Sequence, residues 1–147
     1  MVPIFILLFL LLPGFAQAQT ATLMDSALES QKLSAAQAAY FVLTAAELIP
    51  ADVGIEAAFA QARANKWLSA KTADSPIKIG ELSYLIMRAF KLKGSLLYQL
   101  FPGPRYAFRE LVYRRFIPPP GDPTREVTGP QFFQIVGNVL RVLGEEK

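Results

Sequence analysis

The chain has no cysteine, no histidine and a single tryptophan. Without cysteine there is no disulfide framework, no thiolate zinc site and no residue behind a leader to carry a lipid. Without histidine, Ser-His-Asp and Cys-His catalysis and imidazole metal sites are excluded as well. Acid–base work would fall to carboxylates, lysines or tyrosines. No paired acids stand in a recognisable arrangement, so the expected protein is non-catalytic, with no cofactor and no metal. Strand-like alternation is also missing beyond about four residues, which points to an all-α chain. Long hydrophobic runs are scarce. The apolar stretch Ile4 to Leu12 is about half of the roughly 20 residues a membrane-crossing helix needs.

That short run has a different reading. Pro13 and Gly14 break it, and Ala16-Gln17-Ala18 follows with small side chains at the two positions a signal peptidase accepts. Residues 1–18 are therefore expected to be a cleaved secretory signal, 19–33 a polar lead-in with one helical turn, and 34–147 one helical domain. The mature chain would carry no transmembrane anchor and would work in the periplasm or at the cell surface. Ala18→Phe should block cleavage, because that pocket admits only a small side chain.

Charge is unevenly spread. The net value is +3. From Leu82 to Arg125 eight basic residues face two acids, whereas from Gln19 to Glu81 five basic residues face seven acids. A basic stretch of this size attracts anionic polymers or surfaces. Nucleic acid is a poor candidate for an exported protein.

Apolar periodicity places about five helices. The first begins at the capping box Ser34-Ala35-Ala36-Gln37 and buries Ala36, Ala39, Tyr40 and Leu43. The second runs from about Ile55 to Lys66, and the third from about Gly80 to Lys91, with Gly94 as its C-cap. The fourth runs from about Arg105 to Arg115, with Ser95 to Phe101 as a short helix before it. The fifth starts at Thr128-Gly129-Pro130-Gln131 and buries Phe132, Ile135, Val136, Val139, Leu140 and Leu143.

Three segments share one plan: Leu33-Ser34-Ala35-Ala36-Gln37, Ile77-Lys78-Ile79-Gly80-Glu81 and Val127-Thr128-Gly129-Pro130-Gln131. Each is a β-branched residue or leucine, a short polar entry, and Glu or Gln at the third helical position. Trp67 and Phe116 occupy matching places between them. Periodicity of this length suggests two or more stacked helical repeats around a shared core. The pattern resembles the S-layer homology (SLH) domain family over about residues 33–143, best in Ile77 to Phe90. The resemblance implies attachment to cell-wall polysaccharide, often an acidic one. It also marks a departure: the family's entry arginine is Ala35, Ile79 and Gly129 here.

Candidate contacts follow from residue type. Arg105 and Arg109 lie four apart on one helix face, with Arg88 or Arg114 as possible neighbours, and guanidinium pairs well with carboxylate or phosphate. The same residues also fit a solvated basic face. Tyr106, beside them, is either a sugar-stacking ring or the edge of the core, and Trp67 is either a sugar platform or a core-closing residue at a helix end. Glu81 reads as a capping acid and Glu110 as the partner of Arg114 one turn on. The expected function is a non-catalytic envelope-associated module whose partner is cell-wall polysaccharide or another envelope protein. The alternative is an exported protein–protein interaction domain on the same scaffold.

Overall fold

A computed structural model describes residues 13–119 and 121–146. The apolar run Ile4 to Leu12, expected to belong to a secretory signal, lies outside the described residues. Seven helices make up the described chain: α1 Pro13–Leu28, α2 Ala35–Ala45, α3 Ile55–Ala64, α4 Ile79–Ala89, α5 Leu96–Leu100, α6 Pro104–Tyr113 and α7 Gly129–Glu145. The fold is all-α, and the only extended pairing among the described residues is two isolated bridges, Ser34 with Pro76 and Lys78 with Glu126. No helix is long and apolar enough to cross a membrane among the described residues.

Those bridges mark where the three entries meet. The N–H of Leu33 donates to the carbonyl of Val127 (2.8 Å), the N–H of Val127 to Ile77 (3.1 Å), and the N–H of Ile77 to Leu33 (2.9 Å). The bonds form a closed ring of three, and all three side chains are fully buried. The ring answers a local problem. Each entry is a single extended residue in the core, and a buried amide left without a partner costs about 1–3 kcal/mol. No entry can satisfy itself, so each uses the other two.

A second set of bonds repeats around the ring. Ala35, Ile79 and Gly129, at the same place in the three entries, donate their N–H groups to the carbonyls of Ser75, Arg125 and Ser30, each at 2.8 Å. The first unit is thus α2 with α3, and the second is α4 with α5 and α6. The third is α7 closed by the segment that follows α1. Helix starts follow the same plan. The Ser34 hydroxyl accepts from Gln37 N–H (3.1 Å) and the Thr128 hydroxyl from Gln131 N–H (3.3 Å). Lys78 has no side-chain acceptor, so only the returning half of the box is made there, from Lys78 N–H to Glu81 Oε2 (3.3 Å).

Helix ends are equally regular. Glu47, Lys66, Lys91 and Arg115 each have φ near +60° (59, 60, 53 and 62°). In each case the next residue donates back five positions: Leu48 to Leu43, Trp67 to Ala62, Leu92 to Met87 and Phe116 to Leu111, all at 2.9 Å. These are Schellman caps, with an apolar residue just past each turn folding onto the helix. The matching positions of Trp67 and Phe116 are therefore equivalent capping positions. The expected cap at Gly94 is corrected: Lys91 makes it, and Gly94 lies instead against the Tyr98 ring, where a Cβ would come within 2.3 Å. Left-handed backbone costs a non-glycine residue roughly 1 kcal/mol, and all four side chains are exposed. Glu47→Gly should raise stability by about 1 kcal/mol in urea unfolding, because an acid at a helix C-terminus also opposes the dipole. Gly at Lys66, Lys91 or Arg115 should gain less, since those cations favour that end.

The lead-in is also corrected. It is helical through Leu28, continuous with the Ala16–Ala18 box, rather than a single turn. Leu23 packs on the core and Ala27 is fully buried. At Gly129 the two chains touch backbone to backbone: a Cβ there would lie 1.7 Å from the Ala27 carbonyl oxygen. Most of the expected core stripes are buried. Leu140 is exposed (42%) and Leu143 half-buried; both line an open cleft with Ala46 and Phe90, at the ends of α2 and α4.

Candidate functional site

The second unit carries the basic stretch, and α4, α5 and α6 arrange it. The chain leaves α4 through the Lys91 cap, passes Lys93 and Gly94, and turns into α5. Glu110 of α6 and Arg114, just past its end, hold that loop. Glu110, 9% exposed, accepts the Ser95 N–H on Oε1 at 3.0 Å. Arg114 donates Nη2 to the Lys93 carbonyl. The expected Glu110–Arg114 pair is therefore not formed: the acid turns inward to cap α5 and the guanidinium clasps the loop.

Between this loop and α6 lies an open cleft of about 540 Å³, lined by Lys93, Ser95, Leu97, Tyr106, Arg109, Glu110, Tyr113 and Arg114. Arg109 sits over the Tyr106 ring, 5.9 Å from its centroid, within the range of a cation–π contact. The ion pairs among the described residues are Lys32–Glu126 and Arg141–Glu145, so none neutralises Lys93, Arg109 or Arg114. The cleft presents three cations, two phenol rings and one acid, Glu110, which is mostly covered and held by the Ser95 amide.

No family model, curated protein or solved structure matches this chain. The site therefore rests on its own geometry.

Of the residues singled out from the sequence, Tyr106, Arg109 and Arg114 share this cleft. Arg105 is exposed in the first turn of α6 and lines neither this cleft nor the next one. Arg88, exposed on the last turn of α4, stands beside the Tyr98 hydroxyl. Burial raises the Tyr98 phenol above its ordinary value of 10.0; Tyr84 adds to the rise and Arg88 opposes it. That hydroxyl is buried and makes no hydrogen bond of ordinary geometry.

Trp67 belongs to a second cleft, of about 410 Å³, where the first unit meets the second. Trp67, half-buried against the core, lines it together with Arg63, Lys66, Glu81, Tyr84 and the Pro102–Pro104 turn. Glu81 is the capping acid expected, and it also accepts from the Ser69 hydroxyl. Sequence reasoning missed Arg63, Lys66 and Tyr84 as neighbours of the tryptophan. The first two were legible: Arg63 lies four residues before Trp67, and Lys66 is adjacent to it. Tyr84 comes from another unit and left no local signal.

The three positions that match the family's entry arginine are closed. Ala35 and Ile79 are buried, at 0% and 3% exposure, and Gly129 is pressed against α1. The closure concerns those three positions; Lys78, one residue before Ile79, is exposed.

Proposed function

We propose that this protein is an exported, non-catalytic module of the cell envelope that contacts an anionic cell-wall polymer through the basic cleft of its second unit. One observation carries the reading: Lys93, Arg109 and Arg114 face one cleft beside Tyr106 and Tyr113, with no ion pair among them. Guanidinium and ammonium groups pair with carboxylate or phosphate, and tyrosine rings offer flat faces to sugars. The closed ring of three entries supports a divergent SLH-like scaffold. The buried entry positions argue that polymer contact has moved off the family's usual place. The docking of α1 is compatible with export, since Leu23 and Ala27, which hold it to the core, both lie beyond a cleavage point after Ala18.

The test is co-sedimentation with purified sacculi that retain their acidic polymers. Lys93→Gln combined with Arg109→Gln should weaken attachment about tenfold, the equivalent of 1.4 kcal/mol, with an unchanged helical spectrum. Attachment of the parent should fall as salt rises, because exposed charges are screened beyond about 10 Å at 0.1 M. Salt-independent attachment, or full attachment by the double variant, would remove the reading.

A second reading is an exported interaction domain without glycan binding. It is favoured by one observation: the apolar face of α5 is uncovered, with Leu96 70% and Leu100 61% exposed.

A further inference from the structure

The helix α5 is five residues long and turns most of its apolar surface outward. Leu96, Leu97, Leu100 and Phe101 are all exposed. At about 100° per residue Leu96, Leu97 and Leu100 fall within an arc of about 100°, Phe101 follows where the helix ends, and the buried Tyr98 points to the opposite side. This exposure is built into the fold. Glu110 anchors the α5 entry at Ser95, Gln99 donates to the Gly94 carbonyl at 2.8 Å, and the Tyr98 ring is packed on Gly94. The apolar arc is thus fixed on a rigid base.

What surrounds the arc indicates what covers it. Leu97 opens onto the cleft that holds Lys93, Arg109 and Arg114. Phe101 lies 6.3 Å from the Tyr106 ring, centroid to centroid, and Arg105 precedes that tyrosine. Tyr113, on the rim of the same cleft, is 86% exposed. The one acid lining that cleft, Glu110, is mostly covered and accepts the Ser95 N–H. An apolar centre with tyrosines and cations at its edge, and no free acid, is the pattern of a surface that rests in the headgroup layer of an anionic bilayer. Two other occupants fit less well. A second copy would bring the same cations against themselves in a two-fold interface. A hydrated polysaccharide would give Leu96 and Leu100 no apolar partner.

We propose that Leu96, Leu97, Leu100 and Phe101 insert into the outer part of an anionic lipid leaflet, with Lys93, Arg105 and Arg109 resting on its headgroups. This goes beyond the polymer reading and stands on a different observation, the apolar arc. Five residues cannot span a bilayer, so the contact is interfacial and reversible.

The absence of cysteine makes the test specific. Leu100→Cys in the full chain takes one environment-sensitive fluorophore, and Gln134→Cys, exposed on α7, serves as the control position. With vesicles of phosphatidylglycerol and phosphatidylcholine, the label at 100 should shift to the blue and brighten several-fold, while the label at 134 should not. Adding Leu96→Ser and Phe101→Ser should lower vesicle affinity about tenfold or more, since each loses an apolar side chain from the contact. The same serine variants should leave sacculus attachment unchanged, so the two proposals fail separately. Three results would overturn the lipid contact: no shift with anionic vesicles, an equal shift with phosphatidylcholine alone, or a concentration-dependent shift without vesicles. The last would mean self-association.

Discussion

Gly129→Ala is expected to destabilise the protein by about 3 kcal/mol or more, at the upper end of what one added methyl group does. The new Cβ would stand 1.7 Å from the carbonyl oxygen of Ala27 and 2.8 Å from its carbon. Both are backbone atoms, so no rotamer change relieves the clash. The relief available is to move α1 off α7, which exposes Ala27 and breaks the Gly129 N–H bond to Ser30. The paired control is Gly137→Ala, eight residues along the same helix, where a Cβ meets nothing within 4 Å. There alanine should stabilise by about 0.5–1 kcal/mol, through helix propensity alone. Urea unfolding of both variants separates the two cases by sign. If Gly129→Ala proved neutral, α1 would not close the third unit.

Ile77→Ala carries the second large effect. Ile77 is fully buried, and large-to-small changes in such places cost about 2–5 kcal/mol. Its position adds a distinguishing feature. Ile77 donates to the first unit and accepts from the third, so loosening it disturbs all three entries together. The expected urea transition moves to lower concentration and remains single, by far-UV circular dichroism and by Trp67 fluorescence alike. Separate transitions by the two probes would mean that the units fold independently and that the ring does not couple them. Leu85→Ala, also fully buried but within α4, should cost a similar amount without contacting the ring.

Much of this fold could be read from local pattern. Ser34, Thr128 and the acid or amide three residues on announced their helices because an N-cap is made within one turn. The apolar stripes of α2, α4 and α6 followed from a period of 3.6 residues. The three entries were visible as repeats because each had to supply one buried extended residue and one capped helix. What escaped was set by distant parts of the chain. The Schellman turns fall on Glu47, Lys66, Lys91 and Arg115, whereas glycine is the sequence signal for a left-handed residue, so Gly94 drew the prediction away from Lys91. The sequence pairs Glu110 with Arg114 because a separation of four residues is what a helix surface offers. Its actual partner is the Ser95 amide, fifteen residues away. The lead-in gave no amphipathic stripe, and its helix is held by close packing of Ala27 on Gly129, a backbone contact without a hydrophobic signature.

The site was legible to the same degree and for the same reason. Tyr106 and Arg109 come from one helix and could be paired by spacing. Lys93 and Leu97 join them only because Glu110 and Arg114 fold the preceding loop back onto α6. Arg105 and Arg88 belonged to the same basic stretch, yet the fold turned them away from that cleft. A count of charge along the chain located the basic unit without resolving which of its cations converge.

The most direct measurement is a titration of the ¹⁵N-labelled protein with a soluble anionic cell-wall polymer, followed by amide chemical shifts. The cleft predicts salt-sensitive shifts confined to the second unit, at Lys93, Ser95 and Leu97 and along Tyr106, Arg109 and Arg114. The ring amides of Leu33, Ile77 and Val127 should stay in place. Shifts centred on the first or third unit, or no shifts in low salt at saturating polymer, would contradict it.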